Sequence, residues 1–98
     1  MRHRRFDVAT LAVEHVPVVL RVAHLLVAER EGGARLDWEC VATALDATPI
    51  APGRYRVDLT TLEGRVFGGP AILVRSIEGT HVLRGDGPLD GIEADELR

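Results

Sequence analysis

The chain has 98 residues, 46% of them hydrophobic and 28% charged, which suits one globular domain and argues against wholesale disorder. A net charge of −3, with all twelve basic residues arginine, runs against nucleic acid as a partner, because nonspecific binding rests on clustered positive charge. A single cysteine, Cys40, excludes a disulfide within these residues, and no apolar run approaches the roughly 20 residues of a membrane-spanning helix, so no membrane association and a cytoplasmic location are expected.

Residues 1–6 read as a basic tail carrying Arg2, Arg4 and Arg5. From residue 8 to 30 the chain holds seven valines and an internal Pro17. Valine loses side-chain freedom in a helix and suits a pleated surface, and proline costs about 3 kcal/mol in a helix interior. The segment therefore reads as a strand at 7–13, a tight turn at Glu14-His15 and a long strand at 16–30. A helix with Leu11, Val18, Val22, Leu25 and Leu26 on one face is the runner-up, and would make the domain α+β.

Gly32-Gly33 suits a two-residue hairpin turn, whose central dihedrals need positive φ. That turn sets Val27 opposite Trp38, Leu25 opposite Cys40 and Ala23 opposite Ala42, an apolar face three pairs long. The other face sets Ala28 against Asp37, Leu26 against Glu39 and His24 against Val41. A slip of one residue would exchange the faces, so burial holds the register.

Residues 46–53 form a Pro-containing connector. Beyond it, Tyr55, Val57, Leu59 and Thr61 alternate with polar neighbours before a turn at Glu63-Gly64. The return strand reaches Val74 and is interrupted by Gly68-Gly69-Pro70, which marks a bulge, a corner or an edge. Glu78-Gly79 is the next turn, and a short strand from Thr80 to Arg84 stops at Gly85-Asp86-Gly87-Pro88. The two halves share a pattern: a short strand, a Glu-led turn and a longer return strand that carries a second hairpin. Residues 90–98 are acidic and are expected to fray as a tail.

The expected fold is a single all-β domain at 7–89, a small antiparallel six-stranded meander forming a partly open barrel or a compact two-sheet sandwich.

Motifs for chemistry are sparse. His3, His15, His24 and His81 lack metal-ligand spacing, and the cross-strand trio of His24, Glu39 and Asp37 needs curvature to converge. Cys40 reads as a buried filler, on the opposite face from His24. Trp38 reads as a structural anchor, with a ligand-pocket wall as the alternative, and Tyr55 carries the same two readings. Around the last turns, Ser76 faces His81 across Glu78-Gly79, and Arg84 stands beside Gly85-Asp86-Gly87-Pro88; Arg84 and His81 are the polar candidates for a small ligand. No cofactor is implied.

The leading functional expectation is a non-enzymatic domain that contacts a partner protein or its own copy, motivated by long valine-rich strands in need of edge protection. The alternative is a small-ligand-binding barrel with a pocket near Trp38 and Tyr55. Less favoured are a hydrolase or isomerase using His24 or His81 with Asp37 or Asp86, and an RNA-binding small barrel.

Overall fold

Alternation of apolar and polar side chains carries through to seven strands in a computed structural model, which describes residues 2–29, 36–93 and 96–97. They are β1 (His3–Val13), β2 (Val16–Val18), β3 (Leu20–Glu29), β4 (Leu36–Ala44), β5 (Gly53–Thr61), β6 (Val66–Ile77) and β7 (Thr80–Gly85). Between residues 8 and 29 the chain forms strands joined by a tight turn, and no helix. The Gly32-Gly33 turn lies outside the described residues, but the strands on either side of it pair in the register that such a turn demands. Val27 faces Trp38, Leu25 faces Cys40 and Ala23 faces Ala42, all of them buried.

Six strands close into an antiparallel barrel in the order β1-β3-β4-β7-β6-β5, with β5 pairing back onto β1. The chain builds it as two three-stranded meanders joined at two seams, β4 with β7 and β1 with β5. This replaces the single sequential meander, because β4 finds its free neighbour in β7 and not in the strand that follows it. β1 makes closure possible by using both of its edges. Its first half, His3 to Asp7, pairs with β3, and its second half, from Val8, pairs with β5.

The strand expected at 16–30 is broken. Val16–Val18 pairs with the end of β1 as a seventh strand outside the barrel, and Leu20–Glu29 enters the barrel after the chain shifts register at Val19. Further irregularities lie between Val8 and Thr10, Leu20 and Val22, and Leu73 and Arg75. Such bulges raise local twist and bend strands, as a closed barrel of this size requires. The Gly68-Gly69-Pro70 interruption lies within β6, where Gly69 faces inward and Pro70 outward.

The two ends of the barrel differ. At one, the segment after β7 lies across the opening instead of fraying, and Leu89, Ile92 and Leu97 are buried. It is tied down by Asp86 N–H donating to Pro70 O at 2.9 Å and by reciprocal bonds between Gly68 and Asp90. Arg65 pairs with Glu96 at 2.7 Å and lies over the Phe67 ring, which meets Phe6 edge to face at 5.0 Å. β1 begins at His3, so Arg4 and Arg5 belong to the sheet, with the Arg4 guanidinium 4.6 Å from the Phe6 ring centre. No helix among the described residues is long and apolar enough to cross a membrane.

Candidate binding furrow at the open mouth

The other mouth is shaped by two loops. Glu14 and His15 turn the chain between β1 and β2 with φ of 50° and 66°, both in the left-handed region that a two-residue hairpin of this hand needs. Neither is glycine, and the strain is held by a clamp. Glu14 N–H donates to Arg56 O at 2.8 Å, and Arg56 N–H donates to the Glu14 carboxylate at 2.9 Å.

The second loop is the 46–52 connector, which is moored by bonds to two strands. Ile50 N–H donates to Ser76 Oγ at 3.0 Å, and the Tyr55 hydroxyl donates to Ala51 O at 2.5 Å. Within the loop, Asp46 accepts the Thr48 amide at 2.9 Å, the local turn its side chain favours.

Between β2 and this connector runs an apolar furrow with two lobes. One lobe of about 360 Å³ is bounded by Val13, Glu14, Pro49, Ala51 and Tyr55. The other, of about 240 Å³, is bounded by Val19, Ala44, Asp46, Thr48 and His81. Val16, Val18 and Ile50 line both, so the lobes adjoin along them.

His81 is the polar group of consequence. Only 1% of it is exposed, and its Nδ1 lies 2.8 Å from Ser76 Oγ. That oxygen already accepts the Ile50 amide, so the arrangement satisfying all three groups has the hydroxyl donating to Nδ1. The ring proton is then assigned to Nε2. Burial holds the imidazole below its ordinary pKa, against the opposing pull of the Asp46 carboxylate. The group is accordingly a neutral N–H donor, set in an apolar wall with carboxylates at Asp46 and Glu14 on either side.

The four candidate ligand residues divide into two pairs. Tyr55 and His81 line the furrow at opposite lobes. Trp38 and Arg84 line a separate trough of about 290 Å³ with Leu26, Ala28, Asp37, Glu39 and Gly85. Period-two alternation explains the split of His81 from Arg84: His81 and Leu83 point inward on β7, and Arg84 points out. Strand tilt explains the split of Trp38 from Tyr55. A row that starts at Arg4 and passes Val27, Trp38, Gly85, Ala71 and Tyr55 comes back beside Glu14, beyond the far end of β1. Trp38 therefore packs toward the strapped end, its Nε1 donating to Gly87 O at 2.9 Å.

Other candidates are dispersed. Burial pushes the Cys40 thiol up to about 12, with Glu39 adding to the effect, so no thiolate is available near neutrality. His24 points outward from β3 while Cys40 points inward. Among the described residues no three His, Cys, Asp or Glu side chains are gathered closely enough to hold a metal ion. The connector's contribution, Ile50 above all, has no motif in the sequence; its only signal is an apolar residue between two prolines.

Searches against family models, curated proteins and solved structures find no match to this chain.

Proposed function

We propose that this domain works by binding, and that its ligand is a small neutral molecule with an apolar body and one hydrogen-bond acceptor, held in the furrow between β2 and the connector. The observation that carries the reading is the buried, neutral His81, fixed by Ser76 and lining an otherwise apolar lobe. Small-ligand sites combine mostly apolar walls with few, well-placed polar groups, and the mouths of β-barrels are a common location. Val16, Val18 and Ile50 supply the apolar contact, His81 Nε2–H the donor, and the Tyr55 ring the far wall. Asp46 and Glu14 disfavour an anionic ligand.

Binding is favoured over catalysis by the state of Ser76. Its hydroxyl is engaged with both Ile50 and His81 Nδ1, and Ser76 lines neither lobe of the furrow. A nucleophile and base would instead both face the space where a substrate sits.

A partner strand would find little free edge on this barrel. Barrel closure removes the free edges, and the outside strand β2 is blunted by Pro17, which has no amide to donate. At its end, Val19 O already accepts the Leu45 amide at 2.9 Å.

The test is a titration of the full chain with short N-alkylacetamides, which are neutral with a carbonyl acceptor, beside alkanoates and alkylammonium ions of equal length. Amide and imidazole NMR shifts confined to Val16, Val18, Ile50, Tyr55 and His81, with the acetamide bound best, are expected. Absence of shifts at these residues, or preference for the alkanoate, would reject the reading.

A further inference from the structure

The outer face of β3-β4-β7-β6 carries a self-complementary pattern that the furrow does not use. Following the paired positions across these four strands gives three successive rows. The first reads Leu26, Glu39, Arg84, Ile72; the second His24, Val41, Val82, Arg75; the third Val22, Thr43, Thr80, Ile77. Reversal of each row sets matching partners face to face: apolar over apolar at the ends of the first and third, acid over base at the centre of the first, valine over valine at the centre of the second. The ends of the second row, His24 over Arg75, add nothing.

Two further observations single this face out. Val22, Ile77 and Leu26, at three corners of this face, are 59%, 57% and 41% exposed, so the apolar ends of the outer rows are open to solvent. Glu39 and Arg84 are paired in register, yet neither has an ion-pair partner among the described residues. Each is therefore a charge available to a docking surface.

We propose that this face binds a second copy of the chain, about a two-fold axis running along the strands between β4 and β7. That operation lays β4 of one copy over β7 of the other and reverses every row. Glu39 of each copy then meets Arg84 of the other, Val41 meets Val82, and Leu26 meets Ile72. A two-fold interface must be self-complementary in this way, and two sheets packed face to face keep their strands roughly aligned. The trough over Leu26, Glu39 and Arg84 is where Ile72 of the second copy seats. Four strands about 4.8 Å apart give a modest patch, at the low end of specific interfaces, so the dimer is reversible.

Sedimentation velocity on the full chain between about 1 μM and about 1 mM tests this, with affinities read over the millimolar-to-micromolar range. A concentration-dependent dimer is expected. Glu39→Arg and Arg84→Glu should each weaken it by about tenfold or more, and the double exchange should recover most of the loss, because the cross-copy pair is restored with its signs reversed. Val82→Glu should abolish the dimer and leave the circular dichroism spectrum unchanged, since Val82 faces out of the barrel. A monomer throughout the range overturns the proposal. So does a dimer indifferent to the single exchanges, or one in which the double exchange gives no recovery.

Discussion

The Trp38 indole lies flat against Gly85, on the neighbouring strand β7, and a Cβ on that glycine would be driven into the ring. The same indole reaches Gly69, where a Cβ would strike Pro88 O. Two glycines on β6 and β7 thus make the recess that the largest side chain fills. Gly85→Ala is expected to destabilise by about 1–3 kcal/mol, the usual cost of overpacking, and so to lower the melting temperature by about 4–8 °C per kcal/mol. Thermal unfolding followed by tryptophan fluorescence checks it. Trp38→Phe, which loses the bond to Gly87 O, should give a smaller loss.

The state of His81 makes stability depend on pH in a defined window. Its native pKa lies below the unfolded value of about 6.5, so the unfolded chain takes up the proton first as pH falls. The contribution is fully present above about pH 6.5 and declines as pH falls from there toward the lower native pKa. The carboxylates held low in the fold, Glu29, Asp46 and Glu96, make their losses only below about pH 4.5, so the windows separate. Urea midpoints between about pH 7.5 and 5.5 should fall for the native chain and stay level for His81→Gln.

Cys40 should react with a thiol reagent only when the barrel opens. Its side chain is fully buried and its thiol is pushed up to about 12. Modification by Ellman's reagent is expected to be slow in buffer and immediate in denaturant. Cys40→Ser, which leaves a hydroxyl among Leu25, Leu83 and their neighbours, should cost about 1–3 kcal/mol.

The Glu14-His15 turn stores strain at both residues and holds it through the Glu14 side chain. A left-handed conformation costs roughly 1–2 kcal/mol for an ordinary residue, and asparagine tolerates it better. His15→Asn is expected to raise the melting temperature. Glu14→Ala should lower it, because the Arg56 amide loses its carboxylate acceptor. Calorimetry on the two variants gives opposite signs.

The strap across the closed end is expected to be structural. Removing residues 89–98 takes Leu89, Ile92 and Leu97 from the core, each worth about 1.5–3 kcal/mol when fully buried. A truncated chain should unfold at markedly lower urea and bind a hydrophobic dye over the exposed Phe6 and Phe67.

Much of the fold is legible in local pattern. The β3–β4 register follows from two glycines and a period of two, because only one slip-free pairing buries Leu25, Val27, Trp38 and Cys40 together. The turns at Glu14-His15 and Glu78-Gly79 are legible for the same reason, each standing between β-branched runs. Closure is not, since nothing local to β1 announces that Val8–Val13 will pair with β5. The break at Val19 is hidden in an unbroken valine-rich stretch, and the burial of Ile92 and Leu97 is masked by the acidic residues around them. At the site, the Ser76–His81 pairing is visible across its turn. The separation of His81 from Arg84 was available from alternation alone, whereas that of Trp38 from Tyr55 depends on strand tilt, a property of the whole barrel.

The two seams also bear on how the chain reaches this state. Each three-stranded half is assembled from neighbours in sequence, whereas β1 with β5 and β4 with β7 join segments from different halves. Pairings distant in sequence incur the entropy of closing a long loop before they gain contacts, and they slow folding. Hairpins therefore form early and the seams late. Substitutions at Leu59 or Leu83, which face inward on seam strands, act chiefly on how long the barrel stays shut once it has formed.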